Sequence, residues 1–235
     1  MKKQLLLLVA TFFSIGGLLA QTNDITIDIQ TFIAKIKQDP KVQIVDARGP
    51  EEFAKNHLYN AININAQVPG FEQRINALDK TKPVLIYSIQ NGRSTALAKD
   101  LISKGFTDVH DLLAGIGSWV GSGQPYFTSS SKGLALEVYN KIIADNKLVL
   151  VDIGSEYCGA CKRVKPILDS LRKEYGAALK VVELELEDSP QLIASLKTVT
   201  AFPYIILYNR GNIVLQRTGL KNLKNELDAK LVALK

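Results

Sequence analysis

The chain has 235 residues, 46% of them hydrophobic, enough for one large or two small domains with buried cores. The formal charge of +6 is unevenly spread: two charges belong to Lys2 and Lys3, residues 21–131 carry eleven basic and eleven acidic side chains, and residues 132–235 carry sixteen and twelve. A surplus of four, scattered among acidic residues, describes a solvated surface and argues against nucleic-acid binding.

Met1-Lys2-Lys3 precedes a mostly apolar run from Leu5 to Ala20, and polar Gln21-Thr22-Asn23-Asp24 follows. This is the pattern of a secretory signal, residues 1–20, cleaved after Ala20. An uncleaved anchor would need nearer 20 unbroken apolar residues, whereas Thr11, Ser14, Gly16 and Gly17 interrupt this one. No cysteine follows the run, so lipid attachment there is not indicated. The mature protein is expected in the periplasm or cell envelope, without stable membrane insertion, where disulfides form and persist.

A first domain is expected over residues 21–127. Asp24 to Asp28 alternates like a strand, and Ile29, Phe32, Ile33 and Ile36 recur at helical spacing before Pro40. Val42 to Val45 is a short buried strand ending in Asp46-Ala47-Arg48. Pro83 to Tyr87 is another, delivering the loop Ser88-Ile89-Gln90-Asn91-Gly92-Arg93-Ser94 to a helix from about Thr95 to Lys104. Strands alternating with helices predict a mostly parallel sheet.

The order of these pieces resembles a rhodanese domain. The matches are Asp46-Ala47-Arg48, Glu52-Phe53, His57, Ala61-Ile62-Asn63-Ile64, Gly92-Arg93-Ser94, and Ala114-Gly115-Ile116 with Trp119, Gly123 and Pro125. The resemblance implies a three-layer α/β fold and a loop that, in active rhodaneses, holds a cysteine persulfide in a nest of backbone N–H groups. Ser88 stands where that cysteine would be, and a hydroxyl cannot carry a sulfane sulfur, so sulfurtransferase chemistry is excluded at this loop. Asn91 replaces a loop glycine, which suggests altered loop geometry. Arg93 is read either as a residual anion ligand or as the partner of a carboxylate within the domain. A triad of Ser88 and His57 is not supported, because the resemblance places His57 on a scaffold position. The domain is expected to be non-catalytic, for partner recognition or support.

Tyr126 to Gly133, with its polar, small-residue core, reads as a linker, with residues 128–133 as the boundary segment. The second domain, residues 134–235, opens with a helix from Leu134 to Asn146 that carries Ala135, Val138, Tyr139 and Ile142 on one face. Strand Leu148 to Ile153 follows, then Cys158-Gly159-Ala160-Cys161, then a helix to about Tyr175. Lys180 to Glu187 alternates Val182, Leu184 and Leu186 with Glu183, Glu185 and Glu187. Ser189-Pro190 opens a short helix, strands Ile205 to Tyr208 and Ile213 to Arg217 flank a turn, and Gly219 precedes a last helix.

Cys158 and Cys161 are the only cysteines. At i, i+3 on a helix start both sulfurs project onto one face, close enough to bond, and the helix N-terminus stabilises a thiolate. Cys158 is the better placed to ionise. A zinc site would need about four ligands, and the only histidines lie far upstream. A structural disulfide competes with a redox one, but a ring closed across so short a loop removes little chain entropy, which favours redox chemistry.

This domain resembles thioredoxin through to the C-terminus, on Val151-Asp152 before the turn, the aromatic Tyr157, Lys162 and Pro166. Tyr157 stands for the usual Trp and Ala160 for the usual Pro, which leaves the redox potential open. The resemblance implies a mixed sheet, a cis-proline at Phe202-Pro203 facing the cysteines, and a Phe202 backbone free to pair with an extended substrate. Asp152 lies in an apolar strand just ahead of the motif: burial would raise its pKa and let it take the proton from Cys161, the alternative being a hydrogen-bonded structural aspartate. Glu183 stands where thioredoxin has a lysine, so it would either raise the Asp152 pKa or point to water.

The expected function is that of an exported thiol–disulfide oxidoreductase of two α/β domains. Cys158 attacks, Cys161 resolves, Asp152 moves the proton, and Phe202, Pro203 and Tyr157 position the substrate, with both sulfurs reachable by another protein's chain. The partners are protein thiols and disulfides and an unidentified electron donor or acceptor. No cofactor beyond the disulfide and no metal is expected. Two alternatives are a binding or chaperone-like protein with a low-turnover redox centre and a sulfur-handling protein that accepts sulfane sulfur on Cys158.

Overall fold

The computed structural model describes residues 25–130 and 133–234; the signal-like segment 1–20 lies outside them. The N-terminal part runs β1 (Thr26–Ile27), α1 (Ile29–Gln38), β2 (Gln43–Asp46), α2 (Pro50–Lys55), β3 (Asn56–Leu58), β4 (Ala61–Asn63), α3 (Phe71–Asn76), β5 (Val84–Tyr87), α4 (Asn91–Ser103), β6 (Val109–Leu112), α5 (Gly115–Gly121) and β7 (Tyr126–Thr128). The C-terminal part runs α6 (Leu136–Asp145), β8 (Leu148–Gly154), a 3-10 turn at Cys161–Arg163, α7 (Lys165–Tyr175), β9 (Lys180–Glu185), α8 (Pro190–Leu196), β10 (Tyr204–Asn209), β11 (Asn212–Thr218) and α9 (Leu223–Ala233).

The first sheet has the order β1-β6-β5-β2-β4, and every pair in it is parallel. Alternate side chains of its strands face opposite layers. Ile44, Leu85 and Tyr87 pack with Phe32 of α1 and Ile116 of α5, whereas Val45, Val84 and Ile86 pack with Ile75 of α3 and Leu97 and Leu101 of α4. This is the expected three-layer α/β arrangement. Its deepest polar feature is the fully buried Arg48, whose guanidinium meets Asp46 at 2.7 Å and Asn56 Oδ1 at 3.0 Å.

The second sheet, β11-β10-β8-β9, is mixed: β8 and β9 run parallel and β10 is antiparallel to both β8 and β11. Val149, Val151 and Ile153 face Tyr139 and Ile143 of α6 and Leu192 and Ile193 of α8; Leu148 and Leu150 face Leu168 and Leu171 of α7 and Leu227 of α9. On α6 the buried positions are Tyr139 and Ile143, while Val138, read as part of the apolar face, is exposed. Among the described residues no helix is long and apolar enough to cross a membrane.

Several boundaries differ from the sequence reading. Helix α4 begins at Asn91, so Asn91, Gly92, Arg93 and Ser94 form its first turn instead of a loop. The Asn91 side chain makes this possible by donating to Asp111 Oδ2 and the Leu112 carbonyl and accepting from the Ala114 amide. Tyr126 to Thr128, read as the start of a linker, pairs antiparallel with Asn56 to Leu58, since their backbone groups find a ladder there. The helix expected from Cys158 starts with turns and becomes α-helical only at Lys165, next to Pro166, which lacks an N–H to continue a ladder.

The two parts share one core. A single cluster of buried side chains joins Phe32, Tyr87, Ile89, Ile116 and Trp119 to Cys158, Val199, Phe202 and Ile206. Contact across it is close because α5 carries glycines at its seam. A β-carbon on Gly121 would lie 1.6 Å from the Val199 carbonyl oxygen, and one on Gly117 would lie 3.2 Å from the Phe202 ring. Tyr126 adds a hydrogen bond from its hydroxyl to the Pro190 carbonyl.

Candidate functional site

The site lies at the end of β8. Antiparallel pairing sets Ile153 opposite Tyr204, so the turn after β8 and the Phe202-Pro203 segment before β10 emerge at the same end of the sheet. The turn is fixed by Glu187, a buried carboxylate that accepts from Ser155 Oγ at 2.8 Å and the Glu156 amide at 3.1 Å. The Cys158 amide then donates to the Ser155 carbonyl. Sequence reasoning missed Ser155 and Glu187; only the acidic residue closing an alternating strand hinted at the latter.

Cys158 and Cys161 are disulfide-bonded, with their α-carbons 5.2 Å apart. The Cys161 amide points at Cys158 Sγ from 3.1 Å. An N–H aimed at that sulfur at the head of a helical segment favours negative charge on it, which suits Cys158 as the leaving or attacking sulfur. Tyr157 is half-buried beside it, and burial is the first cause that pushes its hydroxyl up to about 12.

Asp152 is 8% exposed, and its Oδ1 has no hydrogen-bond partner among the described residues. Desolvation, then the neighbouring Glu185 and Glu183, push its carboxyl up from 3.8 to about 7. A group poised near neutrality can both take and return a proton. Glu183 raises Asp152, the first of the two expected alternatives, while pairing with Arg172 of α7 at the surface.

Two expectations fail in this arrangement. The Phe202 carbonyl, expected to be free, accepts a hydrogen bond from the side-chain amide of Gln90. The sulfurs, expected to be reachable, are buried: Cys158 is 1% and Cys161 7% exposed. The β5–α4 loop and α5 are seated against Phe202 and Val199, in the same core cluster that holds both cysteines. Gln90, Gly117 and Gly121 were not singled out from the sequence, although the four-residue spacing of the glycines, which puts both on one helix face, was a usable signal. The Phe202–Pro203 peptide bond is cis.

In the β5–α4 segment Ser88 is 1% exposed, and its hydroxyl is engaged with the Gln90 carbonyl and, at 3.0 Å, with Ser94. Arg93 forms a two-pronged pair with Glu52, which is the salt-bridge alternative. His57 is not brought to Ser88: its Nδ1 meets the Phe53 carbonyl at 2.7 Å and its ring stacks between Phe53 and Phe127. Among the described residues no group of three His, Cys, Asp or Glu side chains is placed to hold a metal ion.

A parallel three-layer domain joined to a mixed sheet that ends in a Cys-x-x-Cys disulfide defines a class, the thiol–disulfide redox proteins with an added α/β module. Comparison with known proteins agrees with that class. A family model described as Rhodanese-like domain matches residues 30–122, and one described as Thioredoxin matches residues 131–233. The chain is 32% identical over 89 residues to a thioredoxin of Rickettsia typhi, covering 38% of this chain and 84% of the relative. It is 33% identical over 81 residues to a thioredoxin of Listeria monocytogenes, covering 34% and 77%. A solved thioredoxin of Plasmodium falciparum is 25% identical, spans 42% of this chain and 97% of its own, and superposes with a TM-score of 0.37. The chain belongs to the thioredoxin family through its C-terminal domain, which follows a rhodanese-like domain.

Proposed function

We propose that the protein is an exported thiol–disulfide oxidoreductase whose rhodanese-like domain serves as a cover for the redox centre. The observation that carries the reading is the Cys158–Cys161 disulfide at a helix start, with the Cys161 amide aimed at Cys158 and, in the adjoining strand, an Asp152 Oδ1 that has no hydrogen-bond partner among the described residues. When a substrate disulfide is reduced, the Cys158 thiolate attacks one of its sulfurs and the other leaves as a thiolate. Asp152 takes the proton from Cys161, Cys161 attacks Cys158, and the second substrate sulfur is released. The reverse sequence oxidises a substrate dithiol. Export rests on the Met1 to Ala20 segment, and protein thiols and disulfides are the substrate class that the family membership supports.

The cover role rests on Gln90 and α5, which occupy the Phe202 edge where an extended substrate would pair. The domains therefore separate before a protein substrate is engaged. Burial of Cys158 also favours a second reading, a binding protein whose redox centre turns over slowly.

Insulin-disulfide reduction and cyanide sulfurtransferase assays on the full chain test both. Reductase activity that disappears in Cys158→Ala, with no sulfurtransferase activity, is the expected result. Wild-type activity no higher than that of Cys158→Ala would favour the low-turnover reading, and sulfane sulfur recovered on Cys158 would favour sulfur transfer.

A further inference from the structure

The face of the second sheet beneath α7 carries more acid than one proton acceptor needs. In the parallel register Asp152 is opposite Glu183 and Gly154 is opposite Glu185, so these positions point to one side, toward α7 and the 3-10 turn before it that carries Cys161. Gly154 leaves the space over which Cys161 sits: a β-carbon there would be 3.1 Å from Cys161 Sγ and 3.6 Å from Glu185 Oε2. The sulfur and the carboxylate oxygen thus flank the same small volume. Glu185 Oε2 is buried and, like Asp152 Oδ1, has no hydrogen-bond partner among the described residues. The neighbouring carboxyls are anchored elsewhere, buried Glu187 on Ser155 and surface Glu183 on Arg172.

We propose that Glu185 is a second catalytic proton acceptor for Cys161, sharing that task with Asp152; this rests on the redox reading above. In the resolving step the Cys161 thiol gives its proton to one of the two carboxylates, directly or through one water. The resulting thiolate attacks Cys158, the Cys158–Cys161 bond forms, and the bond from Cys158 to the substrate sulfur breaks with its electron pair on that sulfur. Two electrons pass from the dithiol to the substrate disulfide, and the departing thiolate takes up a proton.

The electrostatics fit a shared proton. Burial first, then Glu187, push the Glu185 carboxyl up to about 7, and Asp152 sits in the same range partly because of Glu185. Glu183 and Asp188 add further negative charge, while Lys165 of α7 opposes the rise at both carboxyls and Arg172 opposes it at Asp152. Two interacting carboxyls raised in this way titrate as a pair.

Single-turnover resolution tests this. The reduced full chain is mixed with oxidised glutathione, quenched in acid, and the decay of the Cys158–glutathione adduct is followed by mass from pH 5 to 9. Separation of the domains governs how fast the adduct forms, not how fast it resolves. Glu185→Gln is expected to slow resolution about threefold to tenfold at pH 7 and reduce a two-step pH profile to one step. Glu185→Asp restores most of the rate, and Asp152→Asn with Glu185→Gln is slower than either alone. An unchanged profile in Glu185→Gln, whether or not the rate falls, would overturn the proposal. Failure of Cys161→Ser to accumulate the adduct would instead overturn the underlying redox reading.

Discussion

Gln90, in the segment that resembles a rhodanese active-site loop, donates its side-chain amide to the backbone carbonyl of Phe202, beside the disulfide of the other domain. One module thereby satisfies the backbone group that the other would offer to a substrate chain. A single neutral hydrogen bond is worth about 1 kcal/mol net, which corresponds to roughly a fivefold change in an equilibrium. Gln90→Ala should therefore raise the rate at which dithiothreitol reduces the Cys158–Cys161 disulfide by roughly that factor. An unchanged rate would show that Gln90 does not help hold the cover closed.

Gly121→Ala should act more strongly, because its β-carbon has no room against the Val199 carbonyl. The expected outcome is a disulfide that reduces at least tenfold faster, with far-ultraviolet circular dichroism unchanged. Wild-type reduction kinetics together with a wild-type spectrum would rule out this seam as the barrier to access.

Asp152 makes stability depend on pH in a defined direction. Its carboxyl is raised from 3.8 to about 7 in the folded state, so the folded chain binds more protons than the unfolded one between those values. Its contribution is thus most favourable below about pH 4 and is lost as pH rises toward 7. Asp152→Asn should stabilise the protein by up to roughly 4 kcal/mol at pH 8 and by little at pH 4. Urea unfolding at the two pH values checks this; an equal effect at both would refute it.

Arg48 is 0% exposed and holds Asp46 and Asn56 together. Truncating one partner of a buried pair leaves an uncompensated charge, which costs about 3–5 kcal/mol. Arg48→Met should lower the urea midpoint accordingly, and a loss below about 1 kcal/mol would contradict a structural role for the pair.

Ser88→Cys asks whether the rhodanese-like loop needs only its sulfur. Because Ser88 is buried, with its hydroxyl engaged inside the loop, the new thiol should give no cyanide-dependent thiosulfate turnover in the full chain. Turnover above background would mean that the loop opens readily and retains its anion cradle.

The alternation of short apolar strands with amphipathic helices was enough to read the α/β class, the second sheet and three strands of the first, whereas β4 and β6, three and four residues long, are too short to declare a period. The pairing of Cys158 with Cys161 was legible because it depends on local spacing. The interface was not. Gln90 and Phe202 are 112 positions apart, and neither belongs to a periodic pattern. Helix α2 was likewise missed, being six residues long and recognisable mainly by Pro50 at its start and by Glu52, whose carboxylate accepts from the Gly49 amide. Glu185 was read as part of an alternating polar face, and only the register with Gly154 reveals that this face meets Cys161.

Where Gly121 meets Val199, the joint is made of main chain against main chain. Such a fit cannot be retuned by exchanging side chains, because every alternative to glycine is bulkier. A chimera that replaced either module with a homologue lacking this glycine, or carrying a differently shaped strand entry, would keep both folds and lose the closed assembly. The two modules are therefore matched parts, joined through a residue with no side chain.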